Sequence, residues 1–553
     1  MTMELFEKHE DTLQRAVAAI RNREYWSAYP ESPRAYGEDA PQGGEQAFQE
    51  RLGKLFELDQ PASGVTAGSE SSPYGIELGI TYPVATVDEL IDAATVAQKT
   101  WGKATAEERV GVCLEILDRL KENTFEMAHA VMQTTGQAFL MAFQAGGPHA
   151  LDRGLEALSY AYAEMTRLPG GQMRWEKPQG KRDPLLIDKQ WRIRPRGVAV
   201  TIGVSTFPTW NGYPGIFAAL ATGNPVIVKP HPATILPLAL FVETARIVLT
   251  EAGYDPNTVL LSVDTPDAPI AKELVMNPAV GMVDYTGGSR FGEWLEQNVT
   301  HALVFTEKAG VNSIVIDSAP DLKGVFRNLS VSLTMYSGQM CTTPQNVYIP
   351  ASGIDVGGEH VPFGEVAAGL VGAIDGLLSD DQRAGDILGS IKSADIEGRI
   401  ADASASGDVL LASRQVTHPS FPDAEVRTPV IVKVDADNRD VYMREMFGPV
   451  IYVVATADTT ESLDLARESA IQSGAITWLV YTSNEEVMES AIDAAVDAGV
   501  SVAFNLDGGL YVNQSTAFSD FHVTGANPAG NASLTDPAFV AGRFRVVGIR
   551  ISA

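Results

Sequence analysis

Cys341 lies in Tyr336-Ser337-Gly338-Gln339-Met340-Cys341-Thr342-Thr343-Pro344-Gln345, a small and polar stretch holding one of the two cysteines among 553 residues. A thiol in such surroundings can pack as a small hydrophobe, hold a metal, stand idle or, as a thiolate, attack an electrophilic carbon. Two further features favour attack. Glu307, a carboxylate able to take protons, lies 34 residues upstream, and Thr286-Gly287-Gly288-Ser289-Arg290-Phe291-Gly292 precedes it. A glycine-rich turn of this kind turns backbone N–H groups and a positive helix end toward a phosphate, as dinucleotide sites do. Glycines also close strand-to-helix turns for steric reasons alone, so the turn draws its meaning from its companions. Lys229 closes the apolar run Asn224-Pro225-Val226-Ile227-Val228-Lys229-Pro230, where a cation can meet a ligand.

The elements that must position these residues alternate from Gly197 onward. Apolar runs at Val198 to Val204, Val226 to Val228, Val259 to Leu261, Val280 to Tyr285 and Ala302 to Phe305 read as strands buried on both faces. Helical segments near 212–222, 236–252, 266–276 and 289–298 separate them. The order predicts a doubly wound parallel sheet with ligands at the carboxyl ends of its strands. A second α/β block begins near Asn312, with a strand at Ile314 to Ile316 and a helix from Leu322 to Tyr336 leading to Cys341. Val347 to Ile349, Val430 to Val432, Ile451 to Val453 and Trp478 to Tyr481 are its further strands.

Upstream, Leu5 to Ile20 is helical, and Tyr25-Trp26-Ser27-Ala28-Tyr29-Pro30-Glu31-Ser32-Pro33 reads as an extended arm against a domain surface or, alternatively, as the lining of a substrate entrance. Thr86-Val87-Asp88-Glu89 and Thr105-Ala106-Glu107-Glu108 have capping-box spacing and open a helical layer over 85–166, in which Cys113 takes a structural place on the apolar side. Trp191 to Pro195 suggests an edge strand, and Phe544 to Ile551 a β-prone tail suited to pairing with a neighbouring subunit. Four parts follow: an N-terminal arm and helix (1–84), a dinucleotide-binding domain (85–310) whose edge strand near 180–196 contributes to oligomerisation, a catalytic domain (311–510) and a C-terminal loop and β tail (511–553).

Composition narrows the class. With 41 Lys and Arg against 70 Asp and Glu, the net charge of −29 would repel nucleic acid and anionic membranes. Two cysteines make no disulfide framework, and no Cys/His cluster has zinc-ligand spacing, so no metal is expected. The N-terminus lacks signal-peptide features and no apolar run reaches the length of a membrane span, which points to a soluble, cytoplasmic protein.

Taken together, these stretches resemble the aldehyde dehydrogenase superfamily. Gly338-Gln339-Met340-Cys341 is similar to its nucleophile motif, and Thr306-Glu307-Lys308-Ala309-Gly310 to its general-base motif. The glycine turn is similar to its cofactor turn, and Ala221-Thr222-Gly223-Asn224 leading to Lys229 to its adenosine-side strand. Glu445-Met446-Phe447-Gly448-Pro449 resembles the motif whose glutamate holds the nicotinamide ribose. The resemblance implies a Rossmann-type cofactor domain, an α/β catalytic domain and a small β extension that makes homodimers or homotetramers. It implies a thioacyl intermediate on Cys341, hydrolysed with Glu307 as base, and a cofactor held by Lys229, His231, Gly287, Gly288, Gly292, Glu445 and Phe447. Because CoA-acylating relatives commonly lack the base, Glu307 favours hydrolytic release.

Two departures modify this picture. The family's interval back from Lys229 places Thr206 where most members carry an oxyanion-donating asparagine; nearby Asn211 would need a five-residue deletion to align, so Thr206 is the preferred donor. Pro232 stands where NAD-preferring members often carry a glutamate, which favours NADP over NAD, with Lys229 or His231 offsetting its extra charge. The overall pattern looks closest to the phenylacetate-degradation branch, PaaN, on the strength of the 25–33 arm, Ser205 to Trp210, Tyr336 to Thr343 and Leu534 to Arg545. That branch implies a CoA-linked semialdehyde from ring cleavage as substrate. A chain of this length is not expected to carry the C-terminal hydratase domain of some relatives, so a separate hydratase is implied. A general aliphatic or aromatic aldehyde dehydrogenase and a CoA-acylating one are the alternatives, ahead of a non-catalytic descendant of the fold.

Overall fold

Two parallel sheets carry the residues singled out above. The computed structural model describes residues 2–308, 310–513 and 522–552, so Ala309 of the Glu307 motif and residues 514–521 of the expected tail lie outside the described residues. The first sheet has the order Val259–Leu261, Val226–Lys229, Val198–Ile202, Val280–Gly287 and Leu303–Lys308, all parallel. The first three are buried on both faces, which is why they read as unbroken Val, Ile and Leu runs. Strand order reverses beside Val198–Ile202, so a crevice opens beyond its carboxyl end, at 203–207.

The second sheet runs Asp408–Leu411, Val430–Asp435, Val450–Thr456, Pro344–Pro350, Asn312–Ile316, Thr477–Tyr481 and Ser501–Phe504. Asp408–Leu411 is its antiparallel edge. Cys341 lies just before Pro344–Pro350, and Glu307 ends the first sheet near its last strand's carboxyl end. The two sheets therefore bring nucleophile and base toward each other from separate layers.

Both expected capping boxes close. Thr86 Oγ1 accepts from Glu89 N–H at 3.3 Å while the Glu89 carboxylate accepts from Thr86 N–H at 2.8 Å, and Thr105 and Glu108 repeat the exchange at 3.1 and 2.8 Å. Each cap is worth about 0.5–2 kcal/mol to its helix. The helices they start, Val87–Trp101 and Ala106–Glu122, continue into Thr124–Thr135, Phe139–Gly146 and Pro148–Met165. Cys113 is fully buried in this layer. The helix Thr2–Asn22 packs on Ala106–Glu122 and Pro148–Met165, where Lys8 and His9 both meet Glu115, at 2.6 and 2.8 Å.

A third sheet is antiparallel: Met173–Gln179 pairs with Arg182–Pro195, which pairs with Phe544–Ser552 from Phe544 opposite Pro195 to Ser552 opposite Ile187. The tail thus pairs within its own chain, because Arg182–Pro195 is long enough to satisfy its whole backbone edge. Beneath it Arg543, fully buried, forms two bonds to Asp284 of the first sheet, at 2.8 and 2.5 Å. Among the described residues no helix is long and apolar enough to cross a membrane.

Candidate active site

The turn that presents Cys341 is locally strained. Tyr336, Ser337 and Gly338 have φ of 52°, 50° and 68°, left-handed values that cost non-glycine residues on the order of 1 kcal/mol or more each. The helix expected to run to Tyr336 therefore stops at Ser332. Tertiary bonds hold the turn: Tyr336 Oη donates to Thr135 O at 2.5 Å, Ser337 Oγ to Leu388 O at 3.2 Å, and Gln339 Nε2 to Ser390 O at 3.2 Å. Only glycine fits at 338, since a Cβ there would lie 2.3 Å from Gly448 O. On the far side Asn312 Nδ2 donates to Cys341 O at 2.7 Å.

Cys341 Sγ then lies 3.7 Å from Glu307 Oε1. The same carboxylate oxygen accepts from Asn211 Nδ2 at 2.6 Å and is 2.6 Å from His522 Nε2, which is itself 3.9 Å from Cys341 Sγ. Burial alone would raise the Glu307 carboxyl; His522, Arg153 and the Asn211 bond more than offset it, and the group lies below its usual range. The Cys341 thiol is pushed well up, by burial first and by Glu307's charge second, with its own backbone N–H and Arg153 opposing. The resting pair is thus a carboxylate facing a thiol, ready for proton transfer when a substrate arrives.

Two cavities of about 230 Å³ each meet at Cys341 and Phe207. One is mainly apolar, with Met141, Trp210, Met335 and Met340 beside Arg153 and His522. Glu31 of the N-terminal arm lines its mouth and bonds His149 at 3.0 Å, while Ser27 Oγ and Ala28 N–H dock the arm on Asp152. The arm thus lies against the helix Pro148–Met165 with Glu31 at the edge of this cavity. Arg153 stacks over Trp210 at 4.1 Å, and Arg153 Nε and Asn513 Oδ1 are buried without a hydrogen-bond partner among the described residues.

The other cavity holds most of the cofactor candidates: Gly287, Gly288, Glu445 and Phe447, with Thr206, Asn211, Glu307 and Arg399. A Cβ at Gly288 would meet open space, so the backbone here is a bare cradle. Glu445 Oε1 is buried without a partner among the described residues, and burial, partly offset by Arg399, pushes its carboxyl up to about 7. These groups fit a dinucleotide: an unpaired carboxyl oxygen can accept from a ribose hydroxyl. Gly292 does not join the cradle; a Cβ there would lie 2.6 Å from Lys308 Cδ, so its role is close helix-to-strand packing.

Lys229 and His231 lie apart from that cavity. Lys229 is buried and paired with Asp264 at 2.5 Å. His231 accepts from Ala233 N–H through Nδ1, and its imidazole lies below the ordinary range, by desolvation first and by Lys229 and Lys392 next. Next to them Glu70 accepts from Leu236 N–H at 2.9 Å, and from Ile235 N–H, at the start of the helix Leu236–Glu251.

Thr206 lines the cofactor-side cavity, its carbonyl accepting from Gln137 Nε2 at 2.7 Å. Asn211, one turn inside the helix Pro208–Ala221, is the amide that reaches Glu307. Sequence reasoning missed His522, Arg153, Glu70 and Asp264 as site residues. No zinc-ligand spacing marks His522, yet folding gathers it with Glu307 and Cys341 so that their ligand atoms all lie within 4.8 Å of one another.

Residues 81–520 match the model of the aldehyde dehydrogenase family. The fold is similar, with a TM-score of 0.97 and 53% identity over 99% of both chains, to the crystal structure of an NAD-dependent aldehyde dehydrogenase from Burkholderia multivorans. An N-succinylglutamate 5-semialdehyde dehydrogenase of Pseudomonas fluorescens (strain Pf0-1) is 27% identical over 419 residues, 73% of this chain and 78% of that one. A mutant 1-pyrroline-5-carboxylate dehydrogenase from Thermus thermophilus, 18% identical, shares the fold with a TM-score of 0.74 over 96% of this chain and 99% of that one.

Proposed function

The chain belongs to the aldehyde dehydrogenase family and is an NAD(P)-dependent enzyme acting on aldehydes; from that premise we propose that it converts a semialdehyde to its carboxylic acid through a thioacyl group on Cys341. The observation that carries this reading is the position of Cys341 where an apolar cavity and a dinucleotide-type cavity meet, with Glu307 at 3.7 Å. Glu307 takes the thiol proton as the sulfur adds to the aldehyde carbon, and the Cys341 N–H and Thr206 hydroxyl stabilise the oxyanion. The dinucleotide, when bound, supplies the hydride acceptor. Glu307 then takes a proton from water, whose oxygen displaces the sulfur and releases the acid. Glu445 and the Gly287–Gly288 backbone would hold the cofactor.

Glu307→Gln tests the division of labour. It is expected to slow the burst of reduced cofactor, because the Cys341 thiol loses its proton acceptor, and to lower steady turnover about 10²–10⁴-fold. An unchanged steady rate in stopped-flow absorbance would overturn the assignment.

Arg153 Nε and Asn513 Oδ1, without a hydrogen-bond partner among the described residues and beside an apolar wall, favour a substrate with a second polar group beyond its aldehyde. A CoA-linked semialdehyde of phenylacetate ring cleavage answers that description. Compared side by side with simple aliphatic and aromatic aldehydes it should show the higher kcat/KM; equal values would leave a general aldehyde dehydrogenase.

For the cofactor we propose NAD in preference to NADP. The absence of a glutamate at Pro232 makes room for a 2′-phosphate, but Asp264 already neutralises Lys229 and the His231 ring carries no charge near neutral pH. The Glu70 carboxyl already uses the N–H groups of Ile235 and Leu236 at the helix start, where a phosphate would otherwise bind. NADH should bind at least about tenfold more tightly than NADPH, and Glu70→Ala should narrow the gap. Equal dissociation constants by fluorescence titration would overturn this.

A homo-oligomer is proposed through the antiparallel sheet, whose Met173, Trp175, Val547 and Ile551 are exposed. A cytoplasmic location is proposed, since both cysteines are free thiols, the form a reducing compartment maintains.

A further inference from the structure

We propose that His522 is the proton outlet of the active site, carrying away the protons that Glu307 collects. The inference rests on the reading of Cys341 and Glu307 given above and adds a residue to it. Its starting point is a proton balance. Aldehyde, water and oxidised nicotinamide become carboxylate, reduced nicotinamide and two protons. The thiol proton passes to Glu307 as the carbon–sulfur bond forms, and oxidation, for which a bound dinucleotide would supply the hydride acceptor, leaves a thioester on Cys341. Glu307 must lose that proton before it can take another from water. Water oxygen then bonds to the acyl carbon, the carbon–sulfur bond breaks with its electron pair returning to sulfur, and the thiolate regains one proton. Of the three protons supplied by thiol and water, two have to leave in every cycle.

Glu307 is only 3% exposed, and the cofactor-side cavity it lines is the space a bound dinucleotide would fill, so the remaining routes run through its hydrogen-bond partners. Its hydrogen-bond partners among the described residues are Asn211, His522 and Cys341. The Asn211 amide does not titrate, and Cys341 is the reacting group. His522 remains, with Nε2 at 2.6 Å from the carboxylate oxygen, and imidazole can accept a proton on one nitrogen and release one from the other. Its side chain is 10% exposed and lines the apolar cavity, so it joins the buried base to the substrate entrance.

The ring is held for this task. Trp210 meets it edge-on with centroids 4.7 Å apart, and the Arg153 guanidinium lies over the same indole at 4.1 Å. Val523, the next residue, is buried with Ile476 and Ala529 against Cys341, and Thr524 Oγ1 donates to Gly499 O at 2.5 Å. Among the described residues, the titratable and charged groups that face His522 or share its cavity are Glu307, Cys341, Arg153, Tyr511, Glu31 and His149. Of these, Glu31 and His149 form the pair at the mouth, 3.0 Å apart, where protons would pass to solvent.

The test compares the full-length enzyme with His522→Ala and His522→Gln in dilute buffer, measuring the burst of reduced cofactor, kcat, KM and the solvent deuterium effect. In His522→Ala the burst is expected to persist, kcat to fall about 10–100-fold with KM little changed, and added imidazole to restore turnover. His522→Gln keeps a hydrogen bond to Glu307 but cannot carry a proton, so it should be as slow and should not respond to imidazole. A slow step limited by proton release should also show a larger solvent deuterium effect than in the unaltered enzyme. Wild-type kcat in either variant, or a slow His522→Ala that imidazole leaves unchanged, would overturn the proposal. If only this proposal fails, the unaltered enzyme still shows the burst and Glu307→Gln is still arrested; a missing burst in the unaltered enzyme, or full turnover in Glu307→Gln, would instead refute the underlying mechanism.

Discussion

Cys341→Ala is expected to reduce aldehyde oxidation by about 10⁴-fold or more, because a covalent route loses its nucleophile and the remaining groups act only in concert with it. The chain's one other cysteine offers no substitute. Cys113 is fully buried in the helix Ala106–Glu122, with burial pushing its thiol far above the usual range. Cofactor binding should survive, since Glu445 and the Gly287–Gly288 backbone lie on other elements. Removing one sulfur from a wall of the cavity should cost no more than about 1–2 kcal/mol of stability. Initial rates with a saturating aldehyde, together with a thermal melt, check both halves; retained oxidation would require another nucleophile. A companion result concerns pH. Because the thiol is held high, the thiolate fraction and hence alkylation of the resting enzyme should rise about tenfold per pH unit from neutral upward. A rate flat with pH would mean that Cys341 already rests as thiolate.

The second large effect falls on stability. Arg543→Met is expected to destabilise the protein by about 3–5 kcal/mol, since it leaves Asp284 buried without its counter-charge. Arg543 also donates to Phe539 O at 2.8 Å and to Gly215 O at 3.3 Å, and it stacks on Phe305 and Phe539 at 4.7 and 4.3 Å. Space cannot be recovered by collapse, for a Cβ at Gly215 would already lie 2.5 Å from Asp284 Cγ. Replacing both partners, Arg543→Met with Asp284→Leu, should restore much of the loss, because no stranded charge remains. Denaturant titration of the single and double variants measures this. A single variant as stable as the parent would mean that Asp284 finds another partner.

Much of this architecture is legible in the sequence because it depends on neighbours in the chain. Capping boxes at Thr86 and Thr105 involve residues three apart, and the buried strands announce themselves as apolar runs. Motif spacing is enough to pair Cys341 with Glu307. What the sequence hides depends on distant residues. His522 reaches Glu307 across 215 positions, and Glu70 reaches Leu236 across 166; neither side chain has a local pattern that would mark it. Periodicity carries the helix past its end at Ser332 because left-handed Tyr336 and Ser337 are fixed by Thr135 and Leu388, far away in the chain. Gly292 reads as part of a phosphate turn, while its lack of a side chain actually serves Lys308.

The arm at the cavity mouth has a consequence for how such enzymes diversify. Its residues Ser27, Ala28 and Glu31 lie outside the span 81–520 that matches the family model, yet they dock on Asp152 and His149 of the same helix that carries Arg153. The vestibule is thus a module attached to a shared engine. Inheritance can exchange or rewrite the module, altering which molecules are admitted, while nucleophile, base and proton outlet stay under separate selection.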